Sequence, residues 1–432
     1  MEIYGRSYQG QEALLATVNP ATDTSLSFID AKEYPFLKLK MMNVDTLFGT
    51  PNQLRYWRLN ADLPPEGAVA PNLYLKAPDS VDVGQPYTME IAFKNVSQTA
   101  FDSVAVQMTV TDATNTVRNI VVPKQKPIAV GDTLLFRFPV DTKDLTGQNT
   151  LFLNFNPNFA QPEQYLFNNF LFKTFKVQGD EFDPTLDVTF DGVRILNRDI
   201  VSSRPNIQIK LTDNNKFMLL DDTSLLRVKI KYPNDVVKTF RFDSDTLRFI
   251  PPVNSNGTKE NTATIDFKPA FLEDGFYELI VSGSDKSGNA AGVLEYKVTF
   301  SIVNKPMISN LLNYPNPFTT STAFVFTLTG SQIPQNLRIQ ILTITGKVVK
   351  EITKEELGPI HIGRNITEYK WDGTDQYGQK LANGVYLYRV ITNLNGKSMD
   401  KLDLNGINGD RYSDKSTDKY FKSGYGKMYL MR

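Results

Sequence analysis

Short runs in which apolar and polar side chains alternate recur from one end of this chain to the other, and no long apolar stripe of helical period competes with them. Alternation of this kind turns one face of an extended strand to a core and the other to water. Tyr87–Lys94 alternates in this way, as do Val104–Val110, Leu134–Val140, Leu226–Lys231, Tyr277–Val281 and Tyr386–Val390. β-Branched and aromatic residues fill these runs, and Gly, Pro, Asn or Asp bound them. Short strands separated by turn residues at this spacing predict an all-β chain built of tandem sandwiches. The 28 Phe and 19 Tyr fit that reading, because a ring fills the space between two facing sheets.

Punctuation divides the chain. Leu63-Pro64-Pro65-Glu66-Gly67-Ala68-Val69-Ala70-Pro71 reads as a linker that sustains neither helix nor ladder. A second joint is Gln178–Pro184 and a third lies near Val303–Pro306. The expected pieces are a small or partial sandwich at 1–70 and larger ones at 71–178, 185–303 and 305–432. With 432 residues, 41% hydrophobic and 22% charged, each piece has the material for an ordinary core.

Composition excludes several functions. Lys+Arg and Asp+Glu are equal at 47 each, so the long-range attraction that draws a protein to nucleic acid is missing. The absence of cysteine removes disulfides, thiolate metal sites and cysteine nucleophiles. His361 is the single histidine, and it lies in a Gly-Pro-Ile-His-Ile-Gly turn with no nucleophile motif beside it. No catalytic residue is assigned, and the chain is expected not to be an enzyme. Paired carboxylates for glycoside hydrolysis stay open at this point, because their separation is a spatial matter. No stretch reaches the ~20 apolar residues of a transmembrane helix. Met1-Glu2-Ile3-Tyr4-Gly5-Arg6 lacks the basic and apolar regions of a signal peptide, so an export signal is expected upstream of Met1.

Residues 71–178 carry Val81-Asp82-Val83-Gly84-Gln85-Pro86, Ile91–Ser97, Asn156-Pro157-Asn158, Pro162-Glu163 and Asn168-Asn169 before Phe170–Val177. This set resembles the CARDB-type adhesion module, an immunoglobulin-like sandwich of bacterial surface proteins. Gly84 and Pro86 suit a turn into a strand, and Asn168 and Asn169 are expected to bond neighbouring backbone groups. Residues 185–303 read as another immunoglobulin-like sandwich, with Phe190-Asp191-Gly192 as a hairpin turn and Ser284–Asn289 as a tight polar turn. Thr212-Asp213-Asn214-Asn215 and Asp221-Asp222 offer the oxygens that calcium prefers; the alternative is a solvated turn, and no other cofactor is expected.

The last piece opens on Tyr314-Pro315-Asn316-Pro317-Phe318 and continues through the strands Ala323–Leu328 and Ile339–Val349. Trp371-Asp372-Gly373 and Asn383-Gly384-Val385-Tyr386 follow, and Gly426-Lys427-Met428-Tyr429-Leu430-Met431-Arg432 ends the chain. These motifs resemble the FlgD-like immunoglobulin fold and the type A C-terminal sorting domain of type IX secretion. Trp371 is expected to fill the core and Asn383-Gly384 to make a type I′ turn. Met428 and Leu430 mark a strand with one buried face. A polar insertion at 393–425 departs from that family, whose final connection is shorter. Glu2–Gly5, Phe28–Ala31, Tyr34–Leu39 and Gln53–Trp57 resemble the sandwich that follows the catalytic domain in gingipain-like, sortase-like cysteine peptidases.

The resemblances imply a non-catalytic array of a secreted or outer-membrane-associated protein of a Gram-negative bacterium. Its last domain would meet the type IX secretion machinery or an outer-membrane shuttle protein, and a peptidase domain would lie upstream. The other sandwiches would be spacers or docking surfaces. The alternative is an adhesin or carbohydrate-binding protein with a ligand site in one sandwich.

Overall fold

A computed structural model describes residues 1–432 except 20–21, 32, 51–53, 55, 243–244, 256–257, 310, 402–420 and 423. The described chain is all-β, with sheets that pack as immunoglobulin-like sandwiches. It divides into two compact units, Met1–Asp180 and Glu181–Arg432.

The first unit opens with a three-stranded antiparallel sheet in the order Glu12–Thr17, Glu2–Arg6, Phe36–Lys40. Gly5 is needed here: a Cβ would lie 2.5 Å from the Tyr34 ring. Part of the Gln53–Trp57 motif, Gln53 and Arg55, lies outside the described residues. A sandwich follows. One sheet runs Thr133–Val140, Tyr87–Asn95, Gly67–Val69, with Leu75–Lys76 also on Tyr87–Asn95. The other runs Ser80–Asp82, Phe170–Gln178, Gly147–Phe155, Val106–Thr111, Val117–Ile120. Alternation along Tyr87–Asn95 buries Tyr87, Met89, Ile91 and Phe93, and Phe93 stacks on Phe155 of the facing sheet at 4.4 Å.

One expectation fails here. The 63–71 stretch does sustain a ladder, because Gly67–Val69 pairs with Phe93–Asn95. Gly67 permits it by having no side chain: a Cβ would lie 2.2 Å from the Phe93 ring. Prolines 64 and 65 stop short of that strand, so its donors are intact.

The second unit holds two cores. The first lies between the sheet Thr185–Phe190, Ile207–Asp213, Asn261–Phe267, Leu247–Ile250 and the sheet Asp199–Val201, Tyr296–Ile302, Gly275–Gly283, Leu226–Lys231, Val237–Phe240. Phe190 and Val193 exchange both backbone hydrogen bonds around Asp191 and Gly192. Both turn residues have positive φ, at 50° and 84°, as a type I′ turn requires. The second core lies between Thr322–Leu328 with its partners Leu312–Tyr314, Met307–Ile308 and Gly363–Trp371, and the sheet Val348–Ile352, Asn336–Thr343, Gly384–Asn393, Tyr425–Leu430, Phe421–Lys422. The 393–425 insertion contributes Asp400–Lys401, which pairs with Met307–Ile308, while residues 402–420 and 423 of it lie outside the described residues.

Candidate functional site

The opening motif and the terminal strand of the last sandwich meet. Tyr425–Leu430 pairs with Gly384–Tyr388, and its alternation buries Met428 and Leu430 while Lys427 and Tyr429 face out. Phe318, 2% exposed, lies beside Leu430 in a parallel bridge. Its N–H donates to Tyr429 O at 3.0 Å, and its carbonyl accepts from Met431 N at 2.9 Å. Asn316 completes the contact: its Nδ2 donates to Lys427 O at 3.0 Å and its Oδ1 accepts from Tyr429 N at 3.0 Å. One amide thus supplies, at Lys427 and Tyr429, the two bonds a strand neighbour would make there. Pro315 and Pro317, which flank Asn316, are both in cis peptide bonds. Tyr314 is three-quarters exposed beside this clamp.

The Trp371 segment supports the strand from below. Trp371 is fully buried, 5.5 Å from the Phe318 ring and 5.8 Å from the Tyr386 ring, and its Nε1 donates to Thr374 O at 2.8 Å. The indole therefore buries its whole body with its one polar atom satisfied. Asp372 is exposed, accepts from Thr374 N and Oγ1, and its carbonyl accepts from the Arg432 guanidinium. Gly373 is buried at a φ of 75°, and a Cβ there would lie 2.9 Å from Leu430. Tyr386 pairs with Met428, and its hydroxyl donates to Ala382 O at 2.8 Å.

Asn383-Gly384 does not form a type I′ turn, since Asn383 has no positive φ. Its side chain is used elsewhere: Nδ2 donates to Arg432 O at 3.0 Å and Oδ1 accepts from Arg432 N at 2.9 Å. Two asparagine amides thus hold this stretch by two bonds each, Asn316 along the strand at Lys427 and Tyr429 and Asn383 just past it at Arg432. Gly426, in the sequence only the first residue of the terminal motif, is a third participant. A Cβ on it would lie 2.3 Å from the Tyr388 ring, so the strand closes over that ring only with glycine. Burial pushes the Tyr388 phenol well above its ordinary range. Arg389 donates to Tyr425 Oη at 2.9 Å, fixing the strand's first residue.

The calcium candidates separate. Asp213 is buried, and with Asp285 it brings carboxylate oxygens within 4.8 Å of one another. Asn261 Nδ2 donates to Asp213 Oδ2 at 3.3 Å, and Asn289 Nδ2 donates to Asp285 Oδ2 at 2.7 Å. Asp221 instead pairs with Lys286, and Asp222 accepts from Ser224 N at 2.8 Å as a cap. His361 is half-buried, with its backbone N–H and C=O both bonded to the Asn365 side chain.

Asn168 and Asn169 do not bond neighbouring backbone with their side chains. Asn168 Nδ2 donates to Glu66 Oε1 at 3.0 Å and Asn169 Nδ2 to Glu163 Oε2 at 2.6 Å. The carboxylates are the stronger acceptors, and only the fold brings Glu66 within reach.

No protein-family model matches this chain, and no curated protein matches it. Among solved structures it is similar to dimeric latent PorU from Porphyromonas gingivalis, at 16% identity and a TM-score of 0.22 over 79% of this chain and 33% of that one. The chain thus spans a third of that protein's length. It is similar to the CARDB domain of the PF1109 protein from Pyrococcus furiosus, at 17% identity and a TM-score of 0.22 over 29% of this chain and 99% of that one. It is also similar to the FN1–FN3 domains of chicken CNTN1, at 8% identity and a TM-score of 0.19 over 85% and 99%.

Proposed function

We propose that this chain is a non-catalytic β-sandwich array of a secreted or surface-retained bacterial protein, and that its last sandwich is a type IX sorting or attachment domain. The observation that carries the reading is the clamp. The motif that opens the domain and the motif that ends it are more than a hundred residues apart, yet Asn316 and Phe318 hold the terminal strand directly. The strand is therefore displayed as a fixed shape with Lys427, Tyr429 and Met431 outward, which suits recognition by secretion machinery or an outer-membrane shuttle protein. The preceding sandwiches act as spacers or docking surfaces, and calcium at Asp213 and Asp285 would be structural.

The test places a fluorescent reporter ahead of the whole chain in a type IX-competent host. A version ending at Gly426 is compared with the full one, and limited proteolysis checks that the remaining core is folded. Surface display is expected to fail on truncation. A folded, truncated chain that reaches the surface equally well defeats the sorting reading. The purified chain is expected to show no peptidase or glycosidase turnover.

One observation favours a ligand-binding reading as well. Phe152, Phe170 and Phe172 gather on the outer face of one sheet, with ring centroids 4.8–6.2 Å apart, and Phe172 is 61% exposed. Rings displayed in this way suit stacking on sugar faces. Calorimetry against an oligosaccharide panel, with Phe172→Ala as control, tests it; heat that survives the substitution places any sugar site elsewhere.

A further inference from the structure

Glu163 lies in the loop that leads into the last strand of the first sandwich and is 3% exposed. Three N–H donors converge on its carboxyl. Gly67 N donates to Oε1 at 3.0 Å, and Asn156 Nδ2 and Asn169 Nδ2 donate to Oε2 at 2.5 and 2.6 Å. These donors come from the first strand of the sandwich and from both ends of the loop 156–169. The Glu163 carbonyl accepts from the Tyr8 hydroxyl at 3.3 Å, and the Tyr8 ring stacks on Phe159 at 3.6 Å. One carboxyl therefore ties the start of the sandwich to its closing loop, and the same loop carries the N-terminal sheet's Tyr8.

The titratable groups facing Glu163 are Glu66, from the start of the sandwich, and Tyr8, from the N-terminal sheet. Glu66 is occupied by Gln164 N, Tyr165 N and Asn168 Nδ2, so it adds negative charge without relieving Glu163. No cation pairs with Glu163 among the described residues. Burial first, and then the Glu66 charge, push its carboxyl up to about 7 against the pull of the three donors. The protonated form has a partner at hand. Oδ1 of Asn169 is buried and without a hydrogen bond among the described residues, while Nδ2 of the same amide donates to Glu163. Rotation of that amide by half a turn sets Oδ1 against Oε2, where it accepts the new O–H.

We infer that Glu163 is a proton-operated clasp: uptake of one proton tightens the loop 156–169 on the start of the sandwich and on Tyr8, and loss of that proton loosens both. The sign follows from linkage. A carboxyl raised above its ordinary value of 4.5 contributes stability that is present below that value and is lost as pH rises through about 7. The clasp thus loosens toward neutral and alkaline pH, opposite to the usual behaviour of a hydrogen-bonded carboxylate.

Hydrogen exchange on the full chain tests this, with protection of the 156–169 amides and of Gly67 corrected for the intrinsic pH dependence of exchange. Opening is expected to increase up to roughly tenfold per pH unit between about pH 5 and pH 7, then level off. In Glu163→Gln the slope should vanish. A flat native profile overturns the inference, and so does a slope that survives in Glu163→Gln. The ¹³C titration of the Glu163 carboxyl in the unmodified chain decides independently of any variant. A midpoint near 7 supports the clasp, and one at the ordinary glutamate value overturns it.

Discussion

The closing loop of the first sandwich and the closing strand of the last are both held by asparagine amides, yet the two closures answer to different conditions. In the last sandwich Asn316 bonds the backbone C=O of Lys427 and N–H of Tyr429, so no charge is involved in that contact. In the first, Asn156, Asn168 and Asn169 bond the carboxyls of Glu163 and Glu66. An amide that clamps backbone is indifferent to pH, whereas one that pins a carboxyl inherits its titration. The Asn316 contact on the terminal strand is therefore expected to be insensitive to pH, and the loop closure to follow the proton on Glu163.

The sharpest way to break this contrast is to remove the packing beneath the terminal strand. Trp371→Ala empties a fully buried indole site between Phe318 and Tyr386 and is expected to cost about 3–5 kcal/mol in denaturant unfolding. A cost under about 1 kcal/mol would show that the strand does not depend on what lies below it. Gly426→Ala drives a methyl into the Tyr388 ring and should cost about 1–3 kcal/mol, with loss of protection along Tyr425–Leu430. An unchanged exchange profile would mean that the strand already stands off the ring.

Asn316→Ala leaves Lys427 O and Tyr429 N to water and should cost about 1–2 kcal/mol, equally at pH 5 and pH 8. A pH-dependent cost there would blur the distinction between the two closures. The smallest effect sharpens it within one sandwich. The Thr114 hydroxyl, with backbone N–H groups of Thr116 and Thr114 and the Arg118 guanidinium, lowers the Asp112 carboxyl to about 2. Its contribution is present above the ordinary value of 3.8 and lost as pH falls through about 2, opposite in sign to Glu163. Asp112→Asn should flatten only the acid end of the stability curve, and a change near neutrality would contradict the assignment.

Much of the architecture was legible in the chain. Alternation in Tyr87–Lys94 and Tyr386–Val390 predicted strands with one buried face, since a strand's period of two needs no tertiary information. Phe190-Asp191-Gly192 predicted its turn for the same reason: positive φ at two successive residues is a local demand that Asp and Gly meet. Local chemistry failed where a side chain had a distant alternative. Asn383-Gly384 has the composition of a turn, but the Asn383 amide is taken by Arg432. The 63–71 stretch has the prolines of a linker, but Gly67 fits over the Phe93 ring and joins the sheet.

What the sequence determined by itself was the class of fold, the position of its strands, and the absence of cysteine and of any histidine but His361. These follow from composition and from periodicities that each segment carries alone. Which groups meet was left to the tertiary structure. Glu163 is only half of the Pro162-Glu163 pair in a resemblance until Gly67, from nearly a hundred positions earlier, and two asparagine amides enclose it. Asn316 is one residue of the opening motif until the end of the chain lies against it. Burial and convergence of donors are properties of a folded neighbourhood, so the carboxyl that takes up a proton and the amide that holds a strand emerge only when distant segments pack.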